Sequence, residues 1–268
     1  MTCIKTVFLL LLFWIGAVSA EEPASDPIRS AVAAAQIEQR IREMTETIGW
    51  GLRQREQEGM ALKALSYDEL QRVLAKHYDP AQLTGKLIER LRPLYDPNRF
   101  TIINSSLNSP QLREYTAKLA ARPAAKPSRS QRKHEQREAL LDELDRAAAE
   151  TEWLAGTQAL STLALLHMMQ TVNEEAPPGA AQQEAILGQM YAQYLEASRF
   201  SIKTRYLEAL ADVPEDQLRL YIRMLRGSAL QWFNREAINA LIAVMVEARQ
   251  GVEAEIAALV AAKKPAKK

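Results

Sequence analysis

Apolar residues recur every three to five positions along most of the chain, and no segment shows sustained alternation with a period of two. The first spacing lays a stripe along a helix and the second would line one face of a strand, so the pattern predicts helices and no sheet. Ile28, Val32, Ile37, Ile41, Met44, Ile48 and Leu52 form the first stripe, behind a Ser25-Asp26-Pro27 start in which an oxygen caps free amides and proline fits the first turn. This reads as one helix. Gly49 and Gly51 flank Trp50 near its end, where each glycine costs about 1 kcal/mol of helix propensity, and they predict a kink or a close approach.

Ser66-Tyr67-Asp68-Glu69 fits a capping box, with Leu65 and Leu70 as its hydrophobic staple. Asp79-Pro80 and Ser109-Pro110 repeat a cap followed by proline, and open short helices carrying Leu83, Leu87, Ile88 and Leu91, then Leu112, Tyr115 and Leu119. Pro93 and Pro97 are read as breaks between them. Residues 122–130, rich in proline, alanine, serine and basic side chains, read as an exposed linker between a helical half at 21–121 and another at 131–262.

The second half starts with a long pattern carrying Leu140, Leu141, Leu144, Ala148, Thr151 and Leu154 inward, with Asp142 and Arg146 spaced as an i,i+4 pair. From Ala159 to Met169 it is apolar on almost every side, which marks a helix surrounded by others. Pro177-Pro178-Gly179 ends it. Further helices carry Ile186 to Leu210, then Leu218 to Leu225 behind Pro214, and a last one beyond Gly227-Ser228 runs from Trp232 to Leu259. The expected architecture is all-α, one multi-helix bundle of short and long antiparallel helices over 21–262. A basic tail, 263–268, lacks an apolar anchor and is expected to be disordered.

The first twenty residues change the picture of where this bundle works. Lys5, an apolar run from Val7 to Val18 and the small-residue end Val18-Ser19-Ala20 have the layout of a signal peptide, with cleavage between Ala20 and Glu21. The run is shorter than a membrane span needs, so no transmembrane segment is expected in the mature chain. The expected location is the periplasm, or the exterior where there is no outer membrane. Cys3 is the single cysteine and precedes the cleavage point, so neither a disulfide nor a thiolate site is available afterwards. Removing Lys5 balances Lys and Arg against the 33 Asp and Glu, and the neutral chain offers no electrostatic attraction for nucleic acid.

Leu210-Ala211-Asp212-Val213-Pro214-Glu215-Asp216-Gln217-Leu218, followed by Tyr221, Leu225, Gly227-Ser228 and Trp232-Phe233-Asn234, resembles the signature block of the bacterial exported family called domain of unknown function 2059. Gly227-Ser228-Ala229 stands where that family commonly has Ser-Pro and a glycine, and Leu107-Asn108-Ser109-Pro110-Gln111-Leu112 resembles the same break in the first half. The likeness covers roughly 190–249. It implies an exported helical protein without an assigned reaction, on positions that are caps and core.

Chemistry is sparse. His77, His134 and His167 fall in no ligand spacing, and His167-Met168-Met169, which could suit copper, lies in the most apolar helix, where methionine is ordinary filler. No cofactor or metal site is read from the sequence. There is no nucleophile elbow, and Thr84-Gly85-Lys86 lacks a glycine-rich phosphate loop. Glu150 with Glu152, or Asp142 with Glu143, are spaced as solvated helix charges but could in principle act as an acid and base on a glycan. Tyr191, Tyr194, Trp232 and Phe233 are the candidate lining of a groove for a ligand or partner, against the simpler reading that they are core. The expected function is a non-catalytic binding or scaffold module of the cell envelope, its partner an unidentified envelope protein or polymer. A carboxylate-based cell-wall hydrolase and a holdase chaperone are the alternatives.

Overall fold

A computed structural model describes residues 26–121, 131–173 and 179–263; the leader, the 122–130 linker and residues 264–268 of the tail lie outside them. Among the described residues there are helices and no strands. They are α1 (Pro27–Ala34), α2 (Ile37–Gln57), α3 (Tyr67–His77), α4 (Pro80–Leu91), α5 (Pro97–Leu107), α6 (Pro110–Ala120), α7 (Gln131–Ala148), α8 (Glu150–Val172), α9 (Ala180–Ala209), α10 (Glu215–Leu225) and α11 (Ser228–Lys263), with a 3-10 turn at Arg92–Leu94. None is long and apolar enough to cross a membrane.

The helix starts follow from the capping chemistry. Ser66 accepts from the Glu69 amide while the Glu69 carboxylate takes the Ser66 N–H, and Leu65 and Leu70 are buried beneath the box. Asp79 and Ser109 each accept from the amide three residues on, with proline next to them. Asp96 does the same for α5, so Pro97 opens a helix where the sequence reading had it as a break. The two readings are separated by the residue in front: a carboxylate before proline satisfies an end amide and starts a turn.

Two further expectations are corrected. The stripe from Ile28 to Leu52 is divided at Gln36, and the pattern from Leu140 to Met169 at Ala149; both residues hold φ of 57°, in the left-handed region. Neither is glycine. At Gln36 the turn closes α1 through bonds to Ala31 and Ala33 carbonyls, and it lets α1 pack on α5 while α2 packs on α4 and α8, with Ile28, Val32, Ile41, Met44 and Ile48 all buried. At Ala149 the Asp145 carboxylate reaches past the break to take both the amide and the hydroxyl of Thr151, standing in for a missing cap on α8.

Helix α8 is the axis, packed by α2, α7, α9 and α11 and buried on nearly every side, as its all-round apolar sequence predicts. Gly51 lies within an unbroken α2 and lets it approach α8 closely: a Cβ there would stand 2.8 Å from a Leu165 methyl. Helix α11 spans the bundle and touches α3, α4, α5 and α8. Lys263 is not tail, since it is the last residue of α11 and its Nζ lies 2.7 Å from Glu69 of the capping box.

That ammonium, with the Ser66 amide, holds the Glu69 carboxyl down at about 2. A carboxylate whose folded pKa is depressed stabilises the fold above its ordinary value of 4.5, and the contribution drains away as pH falls towards about 2. Glu69→Gln is therefore expected to flatten the dependence of melting temperature on pH across that window; equal slopes in the two proteins would show that the box and Lys263 are not coupled to folding.

Candidate functional site

Two concavities flank the start of α8 and share Trp153 and Thr157. The first mixes charged and polar side chains with apolar ones, has a volume of about 310 Å³, and lies between α2, α6, α8 and α9. Arg40, a turn after the Gln36 break, meets Glu150, the first residue after the Ala149 break, at 2.5 Å, and its guanidinium stands 5.2 Å above the Trp153 ring. Burial alone would lower the Arg40 pKa, and the adjacent Glu150 carboxylate more than reverses it. Beside the pair, the buried hydroxyls of Tyr115 and Tyr206 bond to each other at 2.9 Å, and burial raises both phenols well above their usual range. Desolvation likewise raises the Asp145 carboxyl, opposed by its bonds to Thr151. Arg40 with Glu150, Tyr115 with Tyr206, and Asp145 with Thr151 pair among themselves, so these buried polar groups tie the starts of α2 and α8 to each other and α6 to α9.

The second concavity is apolar. Along the seam of α8, α9 and α11 a cavity of about 520 Å³ is lined by Trp153, Gly156, Leu160, Leu187, Tyr191 and Ile242 among others. It shares Leu160, Glu184, Leu187 and Ile242 with a second cavity of about 220 Å³, and the two adjoin along this seam as a trough with two compartments. The trough exists because α9 packs on α8 and not on α11: from Ala181 to Ala197 it has no buried residue, although Ile186, Leu187, Met190, Tyr191 and Leu195 give it an apolar face. Gly156 and Gly188 widen the gap, and a Cβ on either would meet nothing within 4 Å. Ile242 and Val246 on the facing side of α11 are about 40% exposed.

The inner end of the trough is different. Tyr78 of the α3–α4 turn and Arg249 of α11 line it. Arg249 donates to Gln183 Oε1 at 3.3 Å and lies 3.5 Å from His167 Nε2, while His167 Nδ1 is 3.0 Å from Glu253. Burial lowers the His167 pKa, the Arg249 charge adds to this, and Glu253 opposes both. Tyr78 is 5% exposed and its hydroxyl has no hydrogen-bond partner, while Arg249 Nε and Glu253 Oε1, both buried, face each other as an ion pair at 3.5 Å.

Comparison with known protein families, curated proteins and solved structures finds no match to this chain. The resemblance noted around 210–234 therefore rests on its own residues.

The four aromatic candidates are not brought together. Tyr191 lines the apolar trough, whereas Tyr194 lies across the α8–α9 contact towards α2, its hydroxyl 2.8 Å from Thr162 in a furrow with Trp50. Phe233 is wholly buried, and Trp232 is half-buried with Arg99 4.4 Å above its ring; both pack edge-on against Phe100 of α5. Adjacent residues diverge by about 100° on a helix, so one pair cannot serve both sides of α11. His167 is turned to Glu253 and Arg249, with Met168 and Met169 in the core. Of the carboxylates considered, Glu150 is tied to Arg40, Glu143 to Arg226, and Asp142 lies 3.7 Å from Lys203 instead of pairing with Arg146. Glu152 lines the trough with Glu184, and both are exposed. Sequence reasoning missed Tyr78, Arg249 and Gly188, which carry no local signal.

Proposed function

We propose that the chain is a non-catalytic binding module of the cell envelope, exported by its leader, that takes an apolar chain-like molecule into the trough between α8, α9 and α11. The trough carries this reading: a pre-formed cavity lined by aliphatic and aromatic side chains on three helices, within the size range of about 300–1,000 Å³ common to small-molecule sites. Its volume of about 520 Å³ suits a small ligand more than a folded client, which favours this reading over a holdase. A hydrolase would need one of its carboxylates in dry, apolar surroundings to act as an acid, and the exposure of Glu152 and Glu184 does not provide them. The family resemblance implies an exported helical protein without an assigned reaction.

An environment-sensitive apolar dye is expected to bind the chain at one site and to be released by acyl-chain amphiphiles. Ile242→Gln, at a position already 40% exposed, should cut dye affinity about tenfold while leaving the melting temperature within a few degrees, since burying one amide against the ligand costs roughly 1–3 kcal/mol. Absence of dye binding in the unsubstituted chain, or equal binding by both, overturns the reading.

A further inference from the structure

The larger compartment of the trough carries charge of one sign. Glu152, in the first turn of α8, and Glu184 of α9 are the only charged side chains among its described lining. Both are exposed, and neither forms an ion pair among the described residues. The one cation of the trough is Arg249, which lines only the smaller compartment and already faces Glu253 at 3.5 Å. Charge therefore changes along the seam, from unmatched carboxylates on the larger compartment to a matched pair at the inner end.

Glu152 has an aromatic neighbour at the outer end. Burial raises the Tyr191 phenol, the Glu152 carboxylate adds to the rise, and Arg199, which opposes it, is tied to Glu196 at 2.6 Å. Trp153 lies on the same wall, but Arg40 already stands over its ring, so Tyr191 supplies the free aromatic face. A carboxylate beside such a ring attracts a cation through its own charge and through the negative face of the ring, and the apolar walls make both stronger than in open water. An anionic head would be repelled by Glu152 and Glu184 and would find the guanidinium of the trough engaged. A cation gains at the outer end and is kept from the inner end by Arg249, which also fixes the direction in which an attached chain must run.

We infer that the trough selects amphiphiles with a cationic head, an ammonium held at the outer end by Glu152 and the face of Tyr191, with an aliphatic chain laid inward past Leu160, Leu187 and Ile242. This rests on the trough being a ligand site, as proposed above, and adds the charge class that it takes.

The experiment displaces the bound apolar dye with decyltrimethylammonium, decanol and decanoate, below their aggregation limits, in the full chain, in Glu152→Gln and in Glu184→Gln. The cation should act at about tenfold lower concentration than the alcohol, and decanoate should be the weakest of the three. Glu152→Gln should remove most of that lead and Glu184→Gln less of it, while decanol is unchanged in both. The lead should also shrink in about 0.5 M salt, since the carboxylates are open to solvent. Both substitutions touch exposed side chains, so the unliganded melting temperature should move little. A cation no better than the alcohol, or a lead that survives in both variants, overturns the cationic head. Loss of the lead with Glu184→Gln alone overturns its place beside Tyr191. In each of these cases dye binding keeps the trough as a site, whereas failure of the dye to bind at all removes the trough itself.

Discussion

Arg40→Met is expected to lower the stability of the fold by about 3–5 kcal/mol, towards the lower end because the Arg40 side chain keeps 24% of its exposure. The loss comes from what is left behind. Glu150 has 11% side-chain exposure and opens α8 directly after the Ala149 turn, so without the guanidinium its carboxylate stays in a place that water hardly reaches. The Trp153 ring also loses the cation above it. Urea denaturation should show the fall as an earlier midpoint at unchanged slope. Removing both charges in Arg40→Met with Glu150→Leu should restore most of the loss, since a buried ion pair exchanged for apolar groups is often close to neutral. A single substitution costing less than about 1 kcal/mol would mean that the pair behaves as a surface contact.

Gly251→Ala should destabilise by about 1–3 kcal/mol even though alanine is the better helix former by about 1 kcal/mol. A Cβ at this position in α11 would fall 2.5 Å from Nδ1 and 2.8 Å from Cε1 of His77 on α3. The ring has little room to withdraw, because its Nε2 is held 2.7 Å from Glu255, which also pairs with Lys76. Either α3 lifts from α11 or the His77–Glu255 contact is given up. Gly85→Ala in α4 supplies the contrast: its Cβ meets nothing within 4 Å, so the helix-propensity gain of about 1 kcal/mol should appear undiminished. Thermal melts of the two variants should move in opposite directions, and a shift of the same sign in both would remove the close approach of α3 to α11 as its cause.

Much of the helical order was legible because it is written in short-range chemistry. The Ser66–Glu69 box, Asp79-Pro80 and Ser109-Pro110 each mark a helix start by groups within three residues of one another. The all-round greasiness of 159–169 likewise announces a helix with neighbours on every side. The breaks at Gln36 and Ala149 were not legible, since neither residue prefers the left-handed region and each is held there by packing on either side of the turn. Asp145 illustrates the difficulty: it caps Thr151 six residues away across a break, a spacing no start signal contains. The trough was less legible still. Leu187 and Ile242 have the spacing of core residues, and only the distance at which α9 settles from α11 makes them walls of a cavity. Its polar end joins Tyr78, His167, Gln183 and Arg249 from four parts of the chain, and of these only His167 drew notice.

The length of α11 bears on how such a chain is made. At 36 residues it extends about 54 Å and braces α3, α4 and α5 as well as α8, all of which precede it in synthesis. Until that rod is translated, a growing polypeptide holds finished helices whose greasy sides have no cover. Closure must therefore wait for contacts between distant parts of the sequence, which slows assembly. A nascent chain stalled short of the final helix is the species most prone to clump with its neighbours.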